Sequence, residues 1–185
     1  MGQALSLFPF PFYLLEMTQH PLVVALFPDL PHAAAAAREL HAAGVSPDRL
    51  SIISRNHDEE SDYAAQIGGT PGAEIEDSRT AARFGELSGH FLAAIALVLP
   101  GIGPIVAAGP LAAGLGEAAG HVAGSIATAL SGAGIPGDRA EALQASVEGG
   151  AILLAVHTVR PRIGDIQSIL KSAGATEIET GNWEE

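Results

Sequence analysis

A chain of 185 residues is long enough for one good-sized core, or for a small domain carrying a large insertion. Its formal net charge of −12, with only nine Lys and Arg, excludes the basic stripe that nucleic acid or an anionic membrane surface would require. The absence of cysteine excludes disulfides, thiolate metal sites and cysteine nucleophiles, and fits a reducing cytoplasm.

Residues 1–16, MGQALSLFPFPFYLLE, are apolar and broken by proline, with no Lys or Arg ahead of the apolar run. A secretory signal needs that positive region, so the segment reads as an N-terminal extension, with the domain starting at Met17. Residues 17–55 predict a β-α-β half: an aliphatic strand in PLVVALF, a helix behind Pro31, and a second strand in LSIISR. Pro31 stands where a missing N–H does no harm, and Gly44 where a helix end wants a left-handed backbone. His32 and His41, nine apart on that helix, point in opposing directions and read as surface residues.

Residues 56–77 are acidic and turn-rich and read as a solvated linker. Over 78–133 a Gly/Ala-rich helical hairpin is expected. Its first helix is capped by Ser78 and ends near Leu99, LPGIGP (99–104) breaks the pattern, and a second long helix runs from Pro110 to about Ser131. Residues 134–185 predict a short amphipathic helix and a second β-α-β half, in which Pro161 and Gly174 repeat the roles of Pro31 and Gly44. His157, on a predicted strand, reads as a satisfied core histidine. The expected fold is α+β and ferredoxin-like: two β-α-β halves forming a four-stranded antiparallel sheet backed by two helices, with the long glycine-rich hairpin inserted between them.

The layout resembles the bacterial general stress protein family, also called the heat-induced stress protein domain. The residues that carry the resemblance are the leading β-α-β, LPGIGPIVAAGPLAAGL (99–115), GIPGDRAEAL (134–143) and VEGGAILLAVHT (147–158). It runs from about residue 21 to 180 and implies a stress-linked bacterial protein, without implying a chemistry.

Residues 91–116 carry no charge, a length that passes a crude transmembrane test. Pro100, Pro104 and Pro110 divide the run, ionisable residues border it, and no Lys/Arg cluster or Trp belt adjoins it. A cytoplasmic chain is therefore expected, with membrane contact through 91–116 as the alternative. A hairpin this apolar must hide its outer face, which predicts a homodimer or larger assembly.

Within the hairpin the phrase G-E-x-x-G-H occurs twice, as GELSGH (85–90) and GEAAGH (116–121). On a helix, residues four apart share a face, so Glu86 with His90 and Glu117 with His121 each pair a carboxylate with an imidazole. Across an antiparallel hairpin turning inside LPGIGP, each Glu faces the other helix's His. The pairs come level if the second helix starts at Pro110: His90 then lies about 12 Å and Glu117 roughly 10 Å from the turn. Two Glu and two His suit a divalent metal such as iron, zinc or manganese, and a dimer of hairpins would hold two. The spacing of four departs from the Glu-x-x-His of carboxylate-bridged bundles. Two exposed ion pairs, each worth about 0.2–0.5 kcal/mol, explain the same residues without a ligand.

No P-loop, GxSxG or HExxH is present, and no catalytic residue is assigned. The reading is a stress-associated metal-binding protein. Its alternative is a non-enzymatic oligomerisation or membrane-associating structural protein, and a metal-dependent oxidoreductase ranks third.

Overall fold

The computed structural model describes residues 19–55, 94–99, 103–112, 115 and 125–184. In chain order the elements are β1 (Gln19–Phe27), α1 (Leu30–Ala42), β2 (Leu50–Arg55), β3 (Ala94–Leu99), β4 (Gly103–Ala108), α2 (Ile126–Gly132), α3 (Gly137–Glu148), β5 (Ile152–His157), α4 (Ile163–Ser172) and β6 (Glu177–Glu184). Short 3-10 turns at Pro47–Arg49 and Arg160–Arg162 precede β2 and α4.

Each β-α-β half forms as its residues predict. Asp29 caps α1, accepting the His32 backbone N–H at 3.0 Å, and Pro31 sits in the first turn. At the other end Gly44 takes φ 84 and Val45 N–H bonds back to Leu40 O at 2.9 Å. α4 ends the same way, with Gly174 at φ 93 and Ala175 N–H on Leu170 O at 3.0 Å. Both glycines therefore serve the helix ends for which they were read.

The strands form one antiparallel sheet ordered β3-β4-β2-β5-β1-β6. The halves interleave: β5 lies between β1 and β2, with Leu22 opposite His157 and Leu50 opposite Val156. The fold is thus α+β with an antiparallel sheet, as expected, but among the described residues the sheet holds six strands rather than four.

The two additional strands come from the expected end of the first hairpin helix and from the expected connection to the second. AIALVL and GPIVAA pair as β3 and β4, with Leu99 opposite Gly103, and β4 then joins β2 through Ile52 opposite Ala108. Short apolar runs have no period that separates a strand from a buried helix, and the flanking Pro and Gly with Ile and Val favour the strand. The segment after β4 departs from expectation as well. Residues 110–112 and 115 are helical, so Pro110 does begin a helix. That helix does not continue to Ser131, because Ser125 is extended (φ −120, ψ 164) and caps α2 by accepting Thr128 N–H at 3.1 Å.

Gly109 makes the turn off β4. It has φ 86, and a Cβ there would lie 2.0 Å from Leu50 O and 2.7 Å from Ser51 Cα. The next helical turn is anchored where Leu111 N–H donates to the buried Ser51 Oγ at 3.1 Å. This pivot carries the insertion back across the sheet.

Both sheet faces are consequently covered, which corrects the expectation of helices on one side only. On the first face Ala33, Ala37 and Leu40 of α1, with Ile166 and Leu170 of α4, pack against Val23, Ala25, Leu154 and Val156. On the second, Leu111, Leu115, Ile126, Leu130, Leu143 and Val147 pack against Leu22, Val24, Ile53, Ile105 and Leu153. Strands buried on both faces need apolar residues at every position, which is why PLVVALF and ILLAV show no alternation.

Candidate functional site

The two halves meet at the end of the sheet where β1 begins, β5 finishes and β2 starts. α1 delivers its C-terminal Gly44 there, the Pro47–Arg49 turn delivers Arg49, and β5 ends in His157 and Thr158. Arg162 arrives from the second half as the residue immediately before α4. Together with Val45 and Ser46 these residues line a cavity of about 260 Å³. No carboxylate lines it among the described residues.

The strand ends and helix ends hold the lining in place. Thr158 N–H donates to Pro21 O at 2.9 Å, which fixes the chain just beyond β5. The Arg162 guanidinium donates to Ala43 O at 2.6 Å and to Gly44 O at 3.5 Å, answering carbonyls left without partners at the end of α1. A guanidinium has five N–H donors, so its remaining ones stay available to the cavity. Arg49 is exposed; its backbone N–H donates to Ser46 O at 3.0 Å, while its guanidinium makes no hydrogen bond or ion pair among the described residues.

Of the histidines, His32 and His41 are both exposed, as expected. His32 Nδ1 lies 2.6 Å from Asp29 Oδ1. The Asp29 carboxyl is held below its ordinary range, first by the His32 backbone N–H and then by the His32 ring. His157, read as a core histidine, is half-buried at the cavity wall. Arg49 and Arg162 were not singled out from sequence. The available signal was two arginines in RPR, beside His157 and Thr158, in a chain with only nine basic residues.

Glu86, His90, Glu117 and His121 all lie outside the described residues. What the structure alters is the premise that brought them level. With Val98 opposite Pro104 and Leu99 opposite Gly103, the arms leave the turn as strands, and Gly109 then turns the chain onto a sheet face. Residues 94–99, expected as the end of the first helix, are therefore a strand, and a level reckoned along two helices from that turn does not apply to them. Among the described residues no group of three or more His, Asp or Glu is placed to hold a metal ion. Likewise, no helix among them is long and apolar enough to cross a membrane, and residues 94–99 and 103–108 of the uncharged run are strands.

The premise for self-association also changes. The described apolar residues of the insertion, Leu111, Leu115, Ile126 and Leu130, bury themselves on the chain's own sheet. The sheet edge is what remains. β3 pairs with β4 alone among the described strands, and AIALVL contains neither charge nor proline. At the opposite edge β6, EIETGNWE, carries Glu177, Glu179 and Glu184.

Comparisons with family models, with curated proteins and with solved structures find no match for the chain.

Proposed function

We propose that the chain is a stress-associated structural module that self-assembles by pairing β3 with β3 of a second copy. The observation that carries this reading is the uncharged edge strand. An unpaired strand edge is a template for another chain, and proteins that remain apart blunt it with charge or proline. β6 has that protection and β3 does not. A two-fold axis normal to the sheet requires facing residues to share a side of the sheet. A register with Ala96 on the axis, Ile95 opposite Leu97 and Ala94 opposite Val98 meets the requirement. The interleaved order β2-β5-β1-β6 supports the ferredoxin-like reading of the two halves, with the insertion extending the sheet toward this edge. The stress link rests on the family resemblance of the quoted phrases.

Light scattering coupled to size exclusion tests the pairing. Wild type elutes as a dimer, and Ala96→Lys, which sets two like charges at the axis, weakens association at least about tenfold. A wild-type monomer at all concentrations, or a dimer indifferent to Ala96→Lys, would overturn it.

A divalent-metal site built from Glu86, His90, Glu117 and His121 is the second reading. Its support is the duplicated G-E-x-x-G-H and the helical start at Pro110. Metal analysis of purified protein decides it: a bound ion lost in both Glu86→Ala and His121→Ala supports the site, and metal-free wild type refutes it.

A further inference from the structure

The geometry points to a binding site for a small phosphate-bearing anion in the cavity lined by Arg49, His157 and Arg162. Three features converge there. First, the guanidinium, imidazole and hydroxyl groups come from both halves of the chain: Arg49 and Ser46 from the first, His157, Thr158 and Arg162 from the second. The site exists only when the halves are folded together. Second, Arg162 is pre-oriented. Its bonds to Ala43 O and Gly44 O fix the guanidinium plane and leave further N–H donors for a ligand. Third, α4 begins at Ile163, directly after this arginine, and no side chain caps its first turn. Ile163 N–H already donates to Arg160 O, so this helix start contributes the positive end of its aligned peptide dipoles rather than free donors.

The cavity's size sets the ligand class. About 260 Å³ falls below the range of sites for drug-sized molecules. It holds a phosphate with its nearest waters, or a compact phosphate ester. Arg presents a planar fork that matches two phosphate oxygens, and Ser46 and Thr158 offer hydroxyl donors at the same wall. The whole chain, at −12, repels anions at long range, so capture depends on this local cluster and weakens as salt screens it.

Arg49 is the residue to test because its side chain is exposed and bonds to nothing else among the described residues, so its replacement spares the fold, the backbone bond to Ser46 O included. Inorganic phosphate is titrated into the isotope-labelled full chain while backbone amide shifts are followed. Shifts are expected at residues 44–49 and 157–164. Arg49→Gln weakens binding at least about tenfold, equivalent to roughly 1.4 kcal/mol, while leaving the urea midpoint unchanged. Arg49→Lys keeps part of the affinity because it retains charge without the fork. Arg162→Gln loses binding and also lowers the midpoint, because it removes the donor to Ala43 O.

Vesicles of phosphatidylglycerol form the second arm. Sedimentation that depends on Arg49 assigns the phosphate to a lipid headgroup, whereas phosphate binding without sedimentation assigns it to a soluble ester. Absence of shifts with phosphate together with absence of sedimentation, shifts confined to other residues, or unchanged affinity in Arg49→Gln would overturn the site.

Discussion

Replacing Gly109 by alanine puts the pivot of the insertion under direct test. At φ 86 an alanine pays the left-handed backbone penalty, about 1–2 kcal/mol. Its Cβ would also stand 2.0 Å from Leu50 O, an atom of β2's own backbone that no rotamer change can move. Relief requires β4 and β2 to separate locally, an overpacking strain of about 1–3 kcal/mol, and strains the Leu111 N–H bond to Ser51 Oγ, about 1 kcal/mol more. The expected loss is about 3–6 kcal/mol, a large share of the roughly 5–15 kcal/mol typical of a domain. Gly44→Ala is the matched control, because Gly44 has nearly the same φ, 84, with nothing within 4 Å of the added carbon. It should lose only the backbone penalty. Urea unfolding with linear extrapolation measures both. If the two variants lose the same free energy to within about 0.5 kcal/mol, the close approach of Gly109 to β2 is wrong. Should Gly109→Ala fail to fold, Ser51→Ala reports on the same junction: it leaves the buried Leu111 N–H without its acceptor and should cost about 1–3 kcal/mol.

Other outcomes follow from separate parts of the structure. Leu143→Ala on α3 should destabilise by about 2–5 kcal/mol in the same urea assay, because Leu143 is fully buried on the second sheet face; a change below about 0.5 kcal/mol would mean that face is uncovered. Asp29 has its folded carboxyl pKa depressed, so its contribution to stability is complete above the ordinary value of 3.8 and fades as pH falls through the lower folded value. Asp29→Asn keeps a side-chain acceptor but cannot titrate. Its stability relative to wild type should therefore improve as the pH is lowered through that window, and parallel acid limbs would refute the assignment. Pro110→Ala should leave β4 in place and lose only modest stability, since Pro at a helix start contributes pre-set φ rather than contacts; amide exchange at residues 105–108 checks that the strand survives.

Much of the frame was legible because its signals are local. A strand, a capped helix and a glycine at its end are adjacent in sequence, so PLVVALF through Gly44 and AILLAV through Gly174 could be read directly. The region from 94 to 108 was not legible in that way. AIALVL and GPIVAA have too few residues to reveal a period, and their strand state depends on β2 offering an open edge. Ser125 lies inside a Gly- and Ala-rich run with no local break in its pattern, yet its side chain caps α2. The G-E-x-x-G-H pairs illustrate a related limit. The repeat is evident from the residues, but whether its members meet depends on the path between them, and that path runs through two strands rather than two helix ends.

The two β-α-β halves, their caps, the acidic and cysteine-free character, and the apolar excess that had to be hidden are all written in the residues. Each depends on nearest neighbours in the chain or on composition alone. The three-dimensional fold sets where that excess goes. The backbone of β2 offers hydrogen bonds at its open edge and the sheet offers an uncovered face, so the insertion adds strands to the first and helices to the second. It also decided that Arg49 and Arg162 share a cavity, because α1 ends and α4 begins at the same end of the sheet. Such proximity is created by the interleaved strand order, and no local pattern of residues encodes it.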